Sequence, residues 1–496
     1  MSLDTTEIAI IGGGFGGLSC ACYLADMGAS VTVVERNEQL GGRARRLRTE
    51  RFRFDMGPSW YLMPDVFERF FGHFDHKPSD FYELERLDPR YRVFFKDGDR
   101  VDIPDSTEAI EEVFASYEAE GDAALRRYLD RAERVYELGL QEFVYTDRNQ
   151  FRDYLDPSLV RYLRNIDLLR TMDAHVARYV DHPKLRQILQ YSLVFLGGAP
   201  HNTPALYMLM SHVDLNLGVY YPAGGIGAVV DGLVELGESL GVDYRTGFDV
   251  TSIDKSGPQR WTVTDETRTV PGECVVSNAG YRHTEQDLLA PAHRQYDAEY
   301  WADRTYAPSA ACWYWGVEGR LPGLEHHNLV LPLDWSGHFD SLFDDREWPA
   351  DPAYYVCVPS RTDADVAPAD HEAVFALVPV APGLDDTERR MTRFRDQILT
   401  DIERHVGVDI RDQIVFEHEF SISDFAADYN SPKGTALGLA HTLRQTGPLR
   451  PGRRSTAVDG LYYVGADTTP GIGVPMCLIS GEHTAAAIRR DVGADG

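Results

Sequence analysis

Lysine is scarce in this sequence of 496 residues, where it occupies only five positions. Most of the 49 basic residues are therefore arginine, and 78 acidic residues outnumber them to give a net charge of −29. Such a charge excludes the nucleic-acid backbone as an expected partner. Many carboxylates with little lysine keep a protein hydrated where salt screens its self-repulsion. The composition therefore predicts a cytoplasm rich in salt.

Cysteine and long apolar runs are also limited. The six cysteines form no CxxC pair and no spacing typical of metal ligands, so we expect reduced thiols in a cytoplasmic protein and no metal site. No apolar run approaches the ~18–20 residues that cross a bilayer. No secretory-type segment precedes the first predicted strand. We therefore expect any contact with a membrane surface to be peripheral.

The chain does carry repeated α/β patterns. Residues 7–36 have the pattern of a strand, a turn, a helix and a second strand, which predicts a parallel sheet. Similar patterns return in the middle and at the end, separated by a helical stretch and by alternating strands. The predicted fold is α/β, with a discontinuous Rossmann-type domain, an antiparallel-sheet substrate domain and a helical cap. The predicted Rossmann-type parts are 1–104, 216–285 and 456–496, with the cap at 105–215 and the substrate domain at 286–455.

The first glycine-rich motif is GGGFGG, residues 12–17, between the first strand and its helix. Its glycines allow a tight turn, backbone contact with a pyrophosphate and close helix–strand packing. The helix N-terminus adds a partial positive charge. Glu35 ends the second strand and can accept hydrogen bonds from the ribose hydroxyls of an adenosine. The predicted dinucleotide-binding residues of this unit are Gly12, Gly13, Gly14, Gly16, Gly17 and Glu35.

Two further motifs extend the predicted cofactor site. Gly42 and Arg43 follow Glu35 within a few residues, and Arg43 can pair with phosphate oxygens. The alternative is a surface loop with a solvated arginine. Gly57, in FDMGPSW, exposes backbone that can lie against a flavin ring, although a plain turn at a strand end is the alternative.

The C-terminal stretch GADTTPGIGVPMCLISG, residues 465–481, decides between nicotinamide and flavin cofactors. Asp467 follows a late strand and can bind the ribityl hydroxyls of FAD. The glycine- and proline-rich run after it can lie along the isoalloxazine. A helix that starts near Pro475 would direct its N-terminus at the N1–C2=O edge, which becomes negative when the flavin is reduced. Val474, just before it, is a further predicted cofactor-binding residue. These features predict FAD.

Together the motifs resemble a known family. IIGGGFGGLSCACYLADMGASVTVVERNEQLGGRA, YYPAGGIGAVVDGL, VVSNAG and VGADTTPGIGVPMCLISG are similar to segments of the bacterial-type phytoene desaturases. These are FAD-dependent carotenoid desaturases with the amine-oxidase-like flavoprotein fold. The resemblance implies non-covalent FAD, a long apolar isoprenoid substrate, a peripheral membrane location and reoxidation by a quinone or oxygen. The FAD-binding residues that it implies are Gly12, Gly14, Gly17, Glu35, Gly42, Arg43, Asp467 and, through its backbone at the adenine, Val250.

The sequence identifies no catalytic side chain. The resemblance implies that N5 of the flavin accepts the hydride. His201 and Asp214 are polar residues in apolar surroundings, and a structural role is expected for each. Two reactions stay open: conversion of phytoene to lycopene, and 3,4-desaturation of a C45 or C50 lycopene derivative on a bacterioruberin-type route. The alternatives are an amine or protoporphyrinogen oxidase, a carotenoid cis–trans isomerase and a non-enzymatic prenyl-binding escort. The oligomeric state is not indicated.

Two aromatic stretches, FERFFGHF at 67–74 and CWYWGV at 312–317, are candidates for a polyene tunnel or a lipid-facing mouth, together with ALYMLMSHVDL at 205–215. For each stretch alone, burial in an ordinary core is the expected role. Because the surface is acidic, we expect docking to a membrane to use apolar rather than basic side chains.

Overall fold

A parallel five-stranded sheet is built from three distant parts of the chain. The computed structural model describes residues 3–146 and 170–494, so residues 147–169 of the predicted cap lie outside the described part. The strands of this sheet are β1 (Glu7–Ile11), β2 (Ser30–Val34), β9 (Asp243–Arg245), β13 (Cys274–Ser277) and β19 (Leu461–Tyr463). Their order is β19–β13–β1–β2–β9.

The central strand β1 is apolar because both faces of the sheet are covered. Helices cover the face that includes Ile8 and Ile10, whereas the small antiparallel sheet within residues 252–272 packs against the face of Ala9 and Ile11. In register, Ile10 lies between Val33 of β2 and Val276 of β13, and all three side chains are fully buried. The segments expected to form the Rossmann-type domain thus meet in one sheet.

The α-helices are α1 (Phe15–Asp26), α2 (Pro64–His73), α3 (Thr107–Tyr117), α4 (Gly121–Gly139), α5 (Met172–Val176), α6 (Pro183–Gln190), α7 (Leu193–Leu196), α8 (Leu209–His212), α9 (Ile226–Ser239), α10 (Tyr281–His283), α11 (Ala298–Ala302), α12 (Trp335–Phe343), α13 (Glu388–Val406), α14 (Ile422–Tyr429) and α15 (Val474–Ala494).

A seven-stranded sheet forms the second layer. Its strands are β6 (Tyr91–Phe95), β7 (Arg100–Ile103), β14 (Ser309–Glu318), β15 (His327–Leu331), β16 (Tyr354–Cys357), β17 (His371–Val380) and β18 (Ile414–Phe420). They lie in the order β18–β14–β17–β16–β15–β6–β7. The pairs are antiparallel except for β15 with β6, which is parallel. Helix α13 packs on one face, and the cavity described below lies against the other.

The N-terminal part contributes to this second sheet, which differs from the expected ranges. Strands β6 and β7 fall within 1–104, yet they extend the sheet expected from 286–455. All five residues of β6 are buried, because the strand pairs with β15 and β7 and packs on both of its faces. The smaller strands are β3 (Arg46–Arg48), β4 (Arg53–Asp55), β5 (Leu84–Arg86), β8 (Tyr220–Pro222), β10 (Ser252–Gly257), β11 (Arg260–Thr264) and β12 (Thr269–Gly272).

Both aromatic stretches lie in the core. Phe70 and Phe71 of α2 are buried against α1. Trp313 and Trp315 of β14 lie under α13 beside Ile398. Neither stretch forms an exposed patch, but each also places one residue, Phe67 and Cys312, in the wall of the cavity described below. Within residues 3–146 and 170–494, no helix combines the length and apolar character that crossing a membrane requires.

We predict that Trp313→Ala destabilises the protein by about 3–5 kcal/mol, because it opens a void in a fully buried layer. Denaturant unfolding in high KCl measures this loss. The indole Nε1 of Trp313 also donates to the Glu419 carboxylate at 3.1 Å, so Trp313→Phe separates the loss of that bond from the loss of packing. A loss below about 1 kcal/mol for Trp313→Ala would contradict the packing described for this layer.

Candidate functional site

A cavity of about 810 Å³ runs from the glycine turn after β1 to the space beneath the seven-stranded sheet. One end is lined by the carboxyl ends of the parallel strands, where open α/β sheets bind ligands. The other end is lined by apolar side chains of the sheet and the cap. The predicted site residues that line it are Gly12, Gly14, Gly16, Glu35, Gly42, Arg43, Gly57, Val250, Asp467 and Val474.

The glycines of residues 12–17 are required by close contacts. A Cβ on Gly17 would lie 2.2 Å from the carbonyl oxygen of Gly12, and one on Gly16 would lie 2.9 Å from the Cα of Gly465. Gly17 and the neighbouring Gly13 lie behind the cavity wall rather than in it. The turn therefore leaves room for backbone to approach a ligand.

Glu35 is buried at the edge of the cavity, with 5% of its surface exposed. Its Oε2 atom accepts a hydrogen bond from the Gly13 N–H at 2.8 Å. Its Oε1 atom accepts from the backbone N–H and the side-chain Nδ2 of Asn37, at 3.0 and 2.9 Å. A carboxylate has about four acceptor positions, so the fixed side chain keeps capacity to accept from a ribose hydroxyl.

Arg43 forms a cationic part of the wall. Its Nη2 atom donates to the Ser431 hydroxyl at 3.2 Å. Its buried Nε atom has no hydrogen-bond partner within the described residues. A Cβ on Gly57 would lie 2.2 Å from the Arg43 carbonyl oxygen, and Gly42 has a φ of +58°. These residues fit the phosphates of a dinucleotide, because an unsatisfied guanidinium N–H suits an anion.

The C-terminal run meets the first motif at the sheet edge. The Oδ1 atom of Asp467 accepts from the Leu439 N–H at 3.1 Å, and its Oδ2 atom accepts from the Tyr281 N–H at 3.2 Å. Gly471 and Gly473 have φ values of +132° and +121°, which disfavour residues with side chains. The run then enters α15. Asp467 is therefore held by backbone from two other segments.

Val250 lines the same cavity as Glu35. The Phe248 N–H donates to the Glu35 carbonyl at 2.8 Å, which ties this segment to the end of β2. In the described part of the chain, no backbone hydrogen bond is formed by Val250. Its main chain therefore keeps a donor and an acceptor, as an adenine contact requires.

Beyond these residues the cavity is mainly apolar. Its walls come from α2, the cap, and one face of β14 and β17. The apolar lining residues include Leu62, Met63, Phe67, Leu140, Phe143, Val144, Leu196, Leu206, Met210, Val213, Ala310, Cys312, Phe375 and Leu377. Such a lining suits a long hydrocarbon ligand.

Two lining residues were missed as site residues by sequence reasoning. Asn278 follows β13, and its Nδ2 atom donates to the Gly12 carbonyl at 3.2 Å. Its position after a strand of the parallel sheet was a signal that could have identified it. His441 comes from an irregular segment and carried no such signal. The Ile472 N–H donates to its Nε2 atom at 3.1 Å, so its Nδ1–H donates to the Tyr207 hydroxyl at 3.1 Å.

His201 and Asp214 lie outside the cavity wall. His201 is exposed, and its Nε2 atom lies 3.2 Å from the Asp344 carboxylate. Asp214 is buried, and its Oδ2 atom accepts from the hydroxyls of Tyr91 and Tyr191 at 2.8 and 2.9 Å. Burial raises the pKa of Asp214 to about 6. These placements favour the structural role expected for both residues.

Comparison with known proteins identifies the family. The model of the flavin containing amine oxidoreductases matches residues 15–489. The chain belongs to this family. It is therefore an oxidoreductase with FAD as its cofactor, and the amine-oxidase-like fold predicted from the sequence is confirmed.

Similar proteins cover nearly the whole chain. A carotenoid 3,4-desaturase of Haloarcula japonica is 57% identical, with 99% of each chain covered. A zeta-carotene-forming phytoene desaturase of Myxococcus xanthus is 32% identical, covering 97% of this chain and 93% of its own. Among solved structures, putrescine oxidase bound to putrescine has a TM-score of 0.61 at 16% identity, covering 98% of this chain and 99% of its own.

We predict that Gly17→Ala weakens FAD binding strongly and lowers stability, because its Cβ would clash with the Gly12 carbonyl. Gly72→Ala is the matched control, since nothing lies within 4 Å of a Cβ there. Flavin retention after gel filtration in high KCl measures the effect. Equal retention by both variants would contradict the close packing of the turn.

We predict a pH dependence of stability from Asp214. Folding raises the pKa of Asp214, so its protonated form contributes to the free energy of unfolding at low pH. This contribution is lost as pH rises through about 6. Wild type should lose about 1 kcal/mol relative to Asp214→Asn between about pH 5 and pH 7.5. Parallel denaturant titrations of both proteins at the two pH values measure this difference. A difference that does not change with pH would contradict the raised pKa.

Proposed function

We propose that this protein is an FAD-dependent carotenoid desaturase that acts on a long polyene. One observation carries the proposal: a single cavity joins the nucleotide-binding edge of the parallel sheet to an apolar chamber. Full-length similarity to a carotenoid 3,4-desaturase supports it. Desaturation breaks two adjacent C–H bonds, one as hydride and one as a proton, and forms one C=C bond.

We assign the FAD contacts by the chemistry of the lining residues. Glu35 would accept from the adenosine ribose, and the backbone of Val250 would contact the adenine. The turn at residues 12–17 and Arg43 would hold the pyrophosphate. Asp467 would accept from the ribityl hydroxyls. When bound, the flavin supplies a hydride acceptor at N5, while the apolar chamber holds the chain and excludes water.

We favour 3,4-desaturation of a lycopene-derived intermediate over desaturation of phytoene. The 3,4-desaturase relative is 57% identical, whereas the phytoene desaturase of Myxococcus xanthus is 32% identical. A bacterioruberin-type route and a salt-rich cytoplasm fit the haloarchaeal source of that relative and the net charge of −29.

A cationic amine substrate has less support from the cavity. Of the residues that the structure describes, four acidic ones line the cavity. Glu35 and Asp467 lie in segments assigned above to FAD. Asp249 forms an ion pair with Arg36, and Asp428 forms one with Arg45. The apolar chamber thus offers no carboxylate for an ammonium group among the described lining residues.

We also propose that a quinone or oxygen reoxidises the reduced flavin. A further proposal is that the protein makes peripheral contact with a membrane, from which an apolar substrate would enter. Among the described residues, the exposed large apolar side chains are Leu333, Val415 and Leu449. Binding to liposomes at high salt tests the membrane contact, and the same binding by a variant with serine at these positions would exclude them as its anchor.

Product analysis tests the proposed reaction. The FAD-loaded protein is incubated at high KCl with liposomes that contain either phytoene or an elongated lycopene derivative, and products are separated by chromatography. We expect a red-shifted product two hydrogens lighter from the lycopene derivative alone. A product from phytoene alone would replace the 3,4 assignment, and no product from either polyene would contradict carotenoid desaturation.

A further inference from the structure

Arg450 is a buried cation directly behind the cofactor end of the cavity. Only 4% of its surface is exposed. Its guanidinium donates to four carbonyl oxygens, which belong to Thr468 at 3.1 Å, Gln445 at 3.1 Å, Leu439 at 2.9 Å and Ala466 at 2.6 Å. Within the described residues no carboxylate forms an ion pair with it.

The acceptors of Arg450 belong to the walls of the cofactor site. Ala466 lines the cavity, and Thr468 follows Asp467 in the C-terminal run. The Leu439 N–H donates to Asp467, so the cation binds backbone on both sides of that carboxylate. The charge of Arg450 also acts on His441 in the cavity lining. Burial and the nearby Arg450 both lower the pKa of that histidine.

A guanidinium remains protonated even when buried. Burial lowers the pKa of Arg450, and the charge of the nearby Asp467 carboxylate only partly offsets this effect. Burying a charge without a directly paired counter-ion is costly, so a further negative charge that forms nearby reduces this cost. A flavin gains electrons at its N1–C2=O edge when it is reduced. A fixed cation close to that edge would therefore favour reduction.

We propose that Arg450 is a positioning residue that raises the reduction potential of the bound flavin through its charge and orders the run at residues 465–473 through its four hydrogen bonds. This inference rests on the FAD placement given under the proposed function. It goes beyond that function because it assigns control of the potential to a residue behind the cavity wall.

The test measures the midpoint potential of FAD-loaded protein by dye-linked reduction, without any polyene. Arg450→Gln removes the charge, Arg450→Lys keeps it, and Arg444→Gln is the matched control, because Arg444 is exposed in the same segment. We expect Arg450→Gln to lower the ratio of reduced to oxidised flavin about tenfold at a fixed potential. The lysine variant and the control should stay near wild type.

Equal potentials in wild type and Arg450→Gln would overturn the proposal and leave only a structural role. If the glutamine variant does not fold, Arg450→Met, which also lacks the charge, replaces it in the same measurement. A potential of Arg450→Met equal to that of wild type would overturn the proposal. Loss of bound flavin in wild type would instead contradict the FAD placement. Failure to oxidise polyenes would leave this test unaffected.

Discussion

The close approach of three chain segments at one sheet edge is the constraint on which the site depends. The turn after β1, Asn278 after β13, and Gly465 after β19 pack so tightly that a Cβ on Gly16 or Gly465 would meet its neighbours at distances of only 2.9 and 2.4 Å. Parallel strands bring these turns together because their carboxyl ends share an edge. Residues from opposite ends of the chain thereby form one cofactor wall.

The second sheet explains how the same cavity can hold a long apolar ligand. One face of β14 packs against α13, while Cys312 on the other face lines the chamber. The tryptophans of that strand serve the packing side. The chamber is thus bounded by the sheet on one side and by cap helices on the other, which suits a ligand recognised by shape and apolar contact.

Much of the candidate cofactor end could be predicted from the sequence because its motifs reflect backbone geometry. Gly12, Glu35 and Asp467 lie in the cavity wall where strand order places them. His441 and Arg450 could not be found in this way, since their segment is irregular and their partners are backbone atoms in other segments. The sequence also did not predict that β6 and β7 join the second sheet. Tertiary packing, rather than local sequence, determines which sheet a strand joins.

The most direct test of the central claim is anaerobic reduction of the bound flavin by a polyene. Protein loaded with FAD is mixed at high KCl with liposomes that contain the lycopene derivative, and flavin absorbance is followed. Bleaching together with a red shift of the polyene is the predicted result. A flavin that stays oxidised with the polyene but is bleached by a soluble amine would contradict the account.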